Sequence, residues 1–292
     1  MSYRYVPCDQ FPAYPGAIDV GHPILAGGGI VIHTPTGMPD ESITDAAFSA
    51  DDVAAVSVAD NDWGSYFTNT PDYDVTAGTG APSSVLTTVG PGRMHPSGYY
   101  HRYNKAAGGS RVMFSGDIAM GGTFRYDTLP SQAMLWWRST DQMLCTFSGG
   151  NMNFGVRRGN VTQASTNGPS ITAGNVISFL VRSGPDSDVT HRRNLFLVYD
   201  HDTDTLTDST VTETSDDWSA GTQEPWWRHG GSGGVFVQLQ SFILNRPSFD
   251  DAAAVDFVRR PWQIYHRRER VAHAAVGGGA GTPMNYRFRR AA

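Results

Sequence analysis

Two short stretches combine side chains that can do chemistry. Asp200-His-Asp-Thr-Asp204 carries an acid at every second position, so an extended backbone would put all three carboxylates on one face. Glycoside hydrolysis needs a pair of carboxyl groups flanking the scissile bond. Calcium instead needs six to eight oxygens, of which Asp200, Asp202, Asp204 and Asp208 can supply only part. The stretch lies between strand candidates Asn194–Tyr199 and Leu206–Thr212, where an Asp-rich hairpin turn is expected and the acids would serve their own backbone. The second stretch is Trp226-Trp227-Arg228-His229, which follows Pro225 in a segment read as a Gly-rich loop. Indole faces stack on the C–H groups of a pyranose, and Trp and Arg are favoured at protein interface hot spots. A sugar platform, a subunit anchor and plain packing are all open for it. Trp136-Trp137 adds one more candidate: neighbours on a strand point to opposite faces, so one ring enters the core and the other, Trp137, is free to meet a partner.

Other chemistry lacks support. None of the four Glu (Glu41, Glu213, Glu224, Glu269) has an acid two residues away, and the nine His form no HExxH pattern. A Gly-x-Ser-x-Gly elbow is absent, as is a Gly-rich phosphate loop leading into a helix. No catalytic residue is therefore expected, and the protein is read as a non-enzyme.

The elements that must position these residues are mostly strands. Candidates bounded by Gly, Pro, Asn and Asp clusters are Ser84–Val89, Gly98–Tyr103, Arg111–Ser115, Gly122–Tyr126, Met134–Arg138, Gln142–Phe147, Asn153–Arg157 and Val176–Arg182. Asn194–Tyr199, Leu206–Thr212 and the apolar Val235–Leu244 complete the set. Such spacing belongs to sandwiches and jelly rolls rather than βα units. Ile43–Val58 has the Ala and Asp content of a short helix. After the last strand, Ser248 offers an N-cap, Asp250 and Asp251 suit the positive end of a helix dipole, and Arg259 and Arg260 suit the other end. Pro261 then stops the helix, and Trp262-Gln-Ile-Tyr265 can lie back across a sheet.

This closing order, and Arg260-Pro-Trp-Gln-Ile-Tyr265 in particular, resembles the end of concanavalin A-like (laminin G-like) β-sandwich domains, above all those encoded by tailed bacteriophages. The Asn that usually precedes the Pro-Trp is missing here. The resemblance implies a mainly β fold: a two-sheet antiparallel sandwich (jelly roll) over residues 21–266, with one short C-terminal helix. It further implies a structural component of a phage or phage-derived particle, either a capsid decoration or fibre protein or a tail fibre or spike, residing in the virion as a homo-oligomer. Lectin-like attachment to a host surface polysaccharide is compatible with that role. The alternatives are a carbohydrate-binding receptor-recognition protein and a polysaccharide-cleaving hydrolase of the same fold. Hydrolases of this kind carry their acids on one strand as Glu-x-Asp-x-Glu, a pattern this chain lacks.

Composition limits the remaining classes. One Lys stands against 21 Arg, and four Glu against 24 Asp, a usage that favours turns over exposed helix faces. Net charge is −6, which does not favour nucleic acid as a partner. No apolar run is long enough for a membrane span, and Met1–Pro7 has no signal-type apolar core, so synthesis in a cytoplasm without export and release by lysis are expected. Two Cys, Cys8 and Cys145, are too few for a disulfide framework, and Cys145 reads as a buried thiol. No cofactor is expected, calcium at the Asp stretch being the open exception.

Residues 1–20 read as a Tyr- and Pro-rich arm and 267–292 as a basic Gly-rich tail. From Arg246 onward there are nine Arg against Asp250, Asp251, Asp256 and Glu269. Both ends are expected to grip other virion proteins, through Tyr3, Tyr5 and Tyr14 at one end and Tyr286, Arg287, Phe288, Arg289 and Arg290 at the other.

Overall fold

The structure, a computed structural model, describes residues 2–12, 17–19, 22–25, 29–33, 54–58, 73–76, 83–95, 100–104, 118–138, 141–158, 161–185, 192–213, 226–230, 233–245 and 247–271. It is mainly β, with two large antiparallel sheets and one α-helix among the described residues.

The first sheet has nine strands. Its main path runs β16 (Thr205–Glu213), β15 (Arg192–Asp200), β14 (Val176–Pro185), β9 (Ile118–Thr128), β18 (Val235–Asn245), β3 (Gly29–His33) and β4 (Ala54–Val58). The hairpin of β6 (Ser83–Thr87) and β7 (Gly90–His95) joins β18 beyond the β3 pairing. The second sheet has seven strands in the order β13 (Val161–Ser170), β12 (Asn151–Arg158), β11 (Asp141–Ser148), β10 (Gln132–Arg138), β17 (Trp226–Gly230), β8 (Tyr100–Asn104) and β5 (Tyr73–Thr76). A small third sheet sets β19 (Tyr265–Val271) between β1 (Ser2–Pro7) and β2 (Ala17–Ile18).

Alternation along the nine-stranded sheet feeds two cores. In β14, Ile177, Phe179 and Val181 join a cluster with Met134, Met143, Cys145, Phe154 and Val156 of the other sheet. The intervening Val176 and Leu180 join a second cluster on the opposite face. Strands covered on both faces read as nearly continuous apolar runs, which is why β14, β15 and β18 stand out in the sequence. Gly121 and Gly122 of β9 permit close approach within this sheet, since a Cβ on Gly121 would lie 2.1 Å from the Phe179 carbonyl oxygen. β18 is bulged where Gln238 and Gln240 pair with consecutive residues of β9, Phe124 and Thr123.

The second core is closed by the helix α1 (Asp251–Arg259), whose Ala254, Phe257 and Val258 are buried there. Asp250, not Ser248, caps it: the Asp250 carboxylate accepts from the Ala253 N–H at 2.8 Å. A carboxylate at that position satisfies an open N–H and also meets the helix dipole. Arg260 ends the helix, and Pro261 opens a 3-10 turn through Ile264. Trp262 packs against the second core, edge-on to Phe11 at 5.9 Å between ring centres.

Three expectations change. The first dozen residues are part of the folded body rather than a detached arm. β1 pairs along its whole length with β19, placing Tyr3 opposite Arg270 and Tyr5 opposite Arg268. Cys8 donates its N–H to the Tyr265 carbonyl at 2.7 Å, and Phe11 is fully buried. The expected tail likewise begins as the middle strand of the third sheet. The end of the expected helix at 43–58 is instead strand β4, paired with β3. Tyr14, Tyr286, Arg287, Phe288, Arg289 and Arg290, and the strand candidate at 111–115, lie outside the described residues.

Candidate functional site

Trp226-Trp227-Arg228-His229 does not sit in a loop. It forms β17, an inner strand of the seven-stranded sheet between β10 and β8. The sequence signal for this strand was masked by its flanks, Pro225 before and two Gly after. Of its residues the two Trp are β-formers, favoured on pleated surfaces.

The register then sorts the aromatic residues. Trp136 is opposite Trp227, and Trp137 is opposite Trp226. Across the next ladder, Trp227 is opposite Tyr103 and Trp226 is opposite Asn104, while Tyr103 is in turn opposite Tyr73. Side-chain direction alternates strictly along a strand and is shared across a ladder. Met134 and Met143 belong to the core between the sheets, which fixes the inward parity. Trp136, Trp227, Tyr103 and Tyr73 form one cross-strand row of that parity, and His229 with His101 form another.

The outward parity carries a different set. One row reads Arg157, Gln142, Trp137, Trp226 and Asn104 across five strands. The adjacent row reads Leu144, Leu135, Arg228, Arg102 and Asp74. Of the row members whose burial is described, Leu135 is buried, Gln142 and Leu144 are half-buried and Arg157 is exposed. Of the sequence candidates, Trp137, Trp226 and Arg228 are thus brought together, whereas Trp227 and His229 have the parity of the core. Arg102, Asp74, Asn104, Gln142 and Arg157 were missed, because only the strand register places them beside the two Trp positions.

The Asp stretch is a turn. It joins β15 to β16, with Asp204 in the left-handed region at φ 53°. Asp200 accepts from the backbone N–H groups of Asp202 and Thr203 and from the Asn175 side chain at 2.8 Å. Asp202 accepts from the Val176 N–H at 2.6 Å, and Tyr199 donates its hydroxyl to Asp204 at 2.5 Å. Each carboxylate serves a different neighbour, which is the usual work of Asp in turns. Among the described residues no group of three or more His, Cys, Asp or Glu is placed to hold a metal ion, Asp200, Asp202 and Asp204 included.

His201 in the same turn makes a contact the sequence did not suggest. Its Nε2 lies 2.7 Å from the Ser178 Oγ, which is 2.8 Å from the Thr123 Oγ1. The ring also packs against Tyr199 and Trp262, with centres 4.8 and 5.6 Å away. Burial pushes the imidazole down to about 4, against partial compensation from Asp202 and Asp200. A Ser–His pair suggests a nucleophile, but Ser178 is only 2% exposed and Thr123 is wholly buried. No substrate carbonyl can reach that hydroxyl, so the chain of contacts is a polar pin between the turn and the sheet. Cys145 is a buried thiol pushed up by burial, Cys8 is also buried, and neither forms a disulfide.

No family model matches the chain, and no curated protein sequence matches it. Solved structures do resemble it in fold. A protein of unknown function from Shewanella oneidensis MR-1 is 10% identical, with a TM-score of 0.38 over 77% of this chain and 90% of that one. The binding domain of botulinum neurotoxin DC, in complex with SialylT, is 8% identical with a TM-score of 0.48, covering 82% of this chain and 52% of that one. Lectin II from Ulex europaeus is 9% identical with a TM-score of 0.37, covering 60% and 93%. The likeness is one of fold, and the chemistry of this chain has to come from its own residues.

Proposed function

We propose that this chain is a non-enzymatic carbohydrate-binding protein whose ligand lies along the outward face of the seven-stranded sheet. The observation that carries this reading is the register that sets Trp137 beside Trp226 on the parity opposite the core. Two indole positions on neighbouring strands lie about 5 Å apart, and a two-residue step along a strand covers about 7 Å. Two aromatic residues at adjacent register positions suit the apolar face of a sugar, and Asn104, Gln142, Arg228 and Arg102 occupy neighbouring register positions with residue types that can donate hydrogen bonds. Binding sites of this type combine apolar surface with a few placed polar groups.

The test is a glycan array probed with the full chain, followed by titration of any hit. Trp226→Ala and Trp137→Ala are each expected to weaken binding at least tenfold without changing the melting temperature by more than a few degrees. A blank array, or hits that both variants bind as well as the parent, would sink the proposal.

A second reading, a component of a tailed-phage or phage-derived particle, draws its support from the Arg260-Pro-Trp-Gln-Ile-Tyr265 segment alone. It is compatible with sugar binding, since such particles must attach to a host surface. Co-sedimentation of the chain with intact particles would sustain it, and exclusive recovery as free protein would remove it.

A further inference from the structure

We infer that α1 and the 3-10 turn after it form a cover that acid lifts off the nine-stranded sheet while the two large sheets stay together. The geometry gathers three acid-sensitive side chains at this one seam. Asp251, in the first turn of α1, accepts hydrogen bonds from Arg182 of β14 at 2.7 Å and from Arg193 of β15 at 2.9 and 2.5 Å. His201 lies between the sheet and the 3-10 turn: its Nε2 is 2.7 Å from the Ser178 Oγ, and its ring centre is 5.6 Å from that of Trp262. His22 stands against the later half of α1, with its ring centre 6.1 Å from that of Phe257. The His22 Nδ1 accepts the Ile24 N–H at 3.3 Å, so it is the unprotonated ring nitrogen. A second proton on that ring removes the acceptor and loosens the turn Pro23–Leu25, whose Ile24 and Leu25 are buried in the same core as α1. Two ties at the seam are insensitive to acid: Arg182 donates to the Phe249 carbonyl at 2.6 Å, and the Tyr265 hydroxyl donates to Gln240 at 3.0 Å.

The charged groups around these three side chains set the direction of the response. Hydrogen bonding from Arg193, helped by Arg182 and opposed by burial, holds the Asp251 carboxyl below its usual range. His201 faces Asp202 and Asp200, while the adjacent Tyr199 ring carries Arg259 at 6.0 Å and donates its hydroxyl to Asp204. His22 faces Asp19, Asp256 and His266; Asp256 is paired with Arg260, and His266 lies 3.6 Å from Asp19. At both rings burial outweighs the acids and lowers the imidazole, that of His201 to about 4. All three folded values are therefore below the ordinary ones, so an opened cover takes up protons that the closed form refuses. A return of His201 alone from about 4 to 6.5 multiplies the open fraction about a hundredfold between neutral pH and the folded value. As the acids neutralise, Arg182, Arg193, Arg259, Arg260 and the imidazoles leave the seam positive, and their repulsion acts the same way. In the core between the large sheets, burial raises the values of Tyr126 and Cys145, which stay neutral in acid. Acid could attack the sandwich instead through His95, stacked on Phe236 at 4.9 Å, or Asp141, both fully buried.

The experiment is amide hydrogen exchange read by mass spectrometry on the full chain, at neutral pH and near the folded value of His201, corrected for the intrinsic pH dependence of exchange. Protection across Asp251–Arg259 is expected to fall at least tenfold in acid relative to β11 and β12, and to return on neutralisation. Uptake of a hydrophobic dye should accompany the fall, because lifting the cover bares Leu180, Leu197, Leu239 and Phe242. His22→Gln combined with His201→Gln should hold the acid loss below threefold, since Asp251 stays largely ionised in that window. Asp251→Asn should do the reverse and weaken helix protection already at neutral pH, with β11 and β12 unchanged. Protection of the double variant at neutral pH shows whether it folds, and the parent and Asp251→Asn carry the test if it does not. Helix protection that survives acid in the parent overturns the inference. So does loss of protection in the helix and in β11 and β12 together, which would place the attack between the sheets. An acid loss in the folded double variant as large as in the parent also overturns it, because the rings would then not be the trigger.

Discussion

The two large sheets are built from similar residues and put to different use. The nine-stranded sheet is covered twice: one face meets the opposing sheet, and the other meets α1, the 3-10 turn and the first dozen residues. Among the described residues, the seven-stranded sheet contributes its inward parity to the core between the sheets, and its outward register rows hold Trp, Arg, Asn, Gln, Asp and Leu. A sheet sealed on both faces can be optimised for stability alone. A sheet face that lies outside both described cores can change its residues at smaller cost to the fold, and that is where recognition is proposed to reside.

That contrast can be broken by substitutions of graded size. The largest effect is expected at Phe179, fully buried and stacked on Phe124 at 5.9 Å between ring centres. Phe179→Ala should cost about 3–5 kcal/mol and lower the urea midpoint accordingly. If the loss were below about 1 kcal/mol, the doubly covered sheet would not be the stability centre.

Next in size is the clamp that holds α1 on the sheet. Arg182 donates to the Phe249 carbonyl at 2.6 Å and to Asp251 at 2.7 Å, while Arg193 donates to both Asp251 oxygens. The hydrogen bond from Arg193 holds the Asp251 carboxyl below its usual range, helped by Arg182 and opposed by partial burial. Because the folded value is the lower one, this stabilisation is full above the ordinary carboxylate range and is lost as pH falls through the folded value. Asp251→Asn should cost about 1–2 kcal/mol at neutral pH, since the acid is partly exposed and its pairing is screened. Denaturation curves of parent and variant should converge at low pH. Curves that stay parallel down to the acid limit would show that the clamp does not hold the helix.

His201 tests the same covered face through protons. Its folded value, about 4, lies below the ordinary 6.5, so the unfolded chain binds a proton first as pH falls. Stability is therefore complete above about 6.5, declines from there, and stops declining below about 4. His201→Gln should flatten that slope, as read from urea midpoints taken across the window. An unchanged slope would assign the acid sensitivity elsewhere, His22 being the next group whose value burial lowers. The smallest stability effect is expected in the outward rows of the seven-stranded sheet, where Trp226→Ala should cost less than about 1 kcal/mol. A loss as large as that of Phe179→Ala would erase the distinction between the sheets.

How much of this was legible in the sequence follows from the same contrast. β9, β14, β15 and β18 are apolar on both parities because both of their faces are buried, and they were visible as apolar runs. The helix was visible because its signals are local, although Asp250 replaced Ser248 as the cap once the chain's direction into Asp251 was fixed. β13, with Thr, Gln, Ser and Asn at most positions, carries little burial and left no pattern to find. β17 was misread as a loop since its Trp, Arg and His belong to two faces with different tasks. β1 and β19 were missed because their pairing joins residues at opposite ends of the chain, and no local signal encodes a partner so far away. The site was half legible: residue types named Trp137, Trp226 and Arg228, but only register could separate them from Trp227 and His229 and add Arg102 and Asp74.

The β1–β19 ladder has a consequence for how the molecule is made. Ser2–Pro7 is translated before its mate Tyr265–Val271 and before everything that lies between them, so the strand waits unmatched until that mate has emerged. Phe11 and Cys8 wait with it, because their niche is completed by Trp262 and Tyr265. This sheet therefore closes only once β19 has emerged. Splicing the two neighbouring strands through a short linker and opening the chain at a distant turn would relieve that delay, with faster recovery of native protein as the sign.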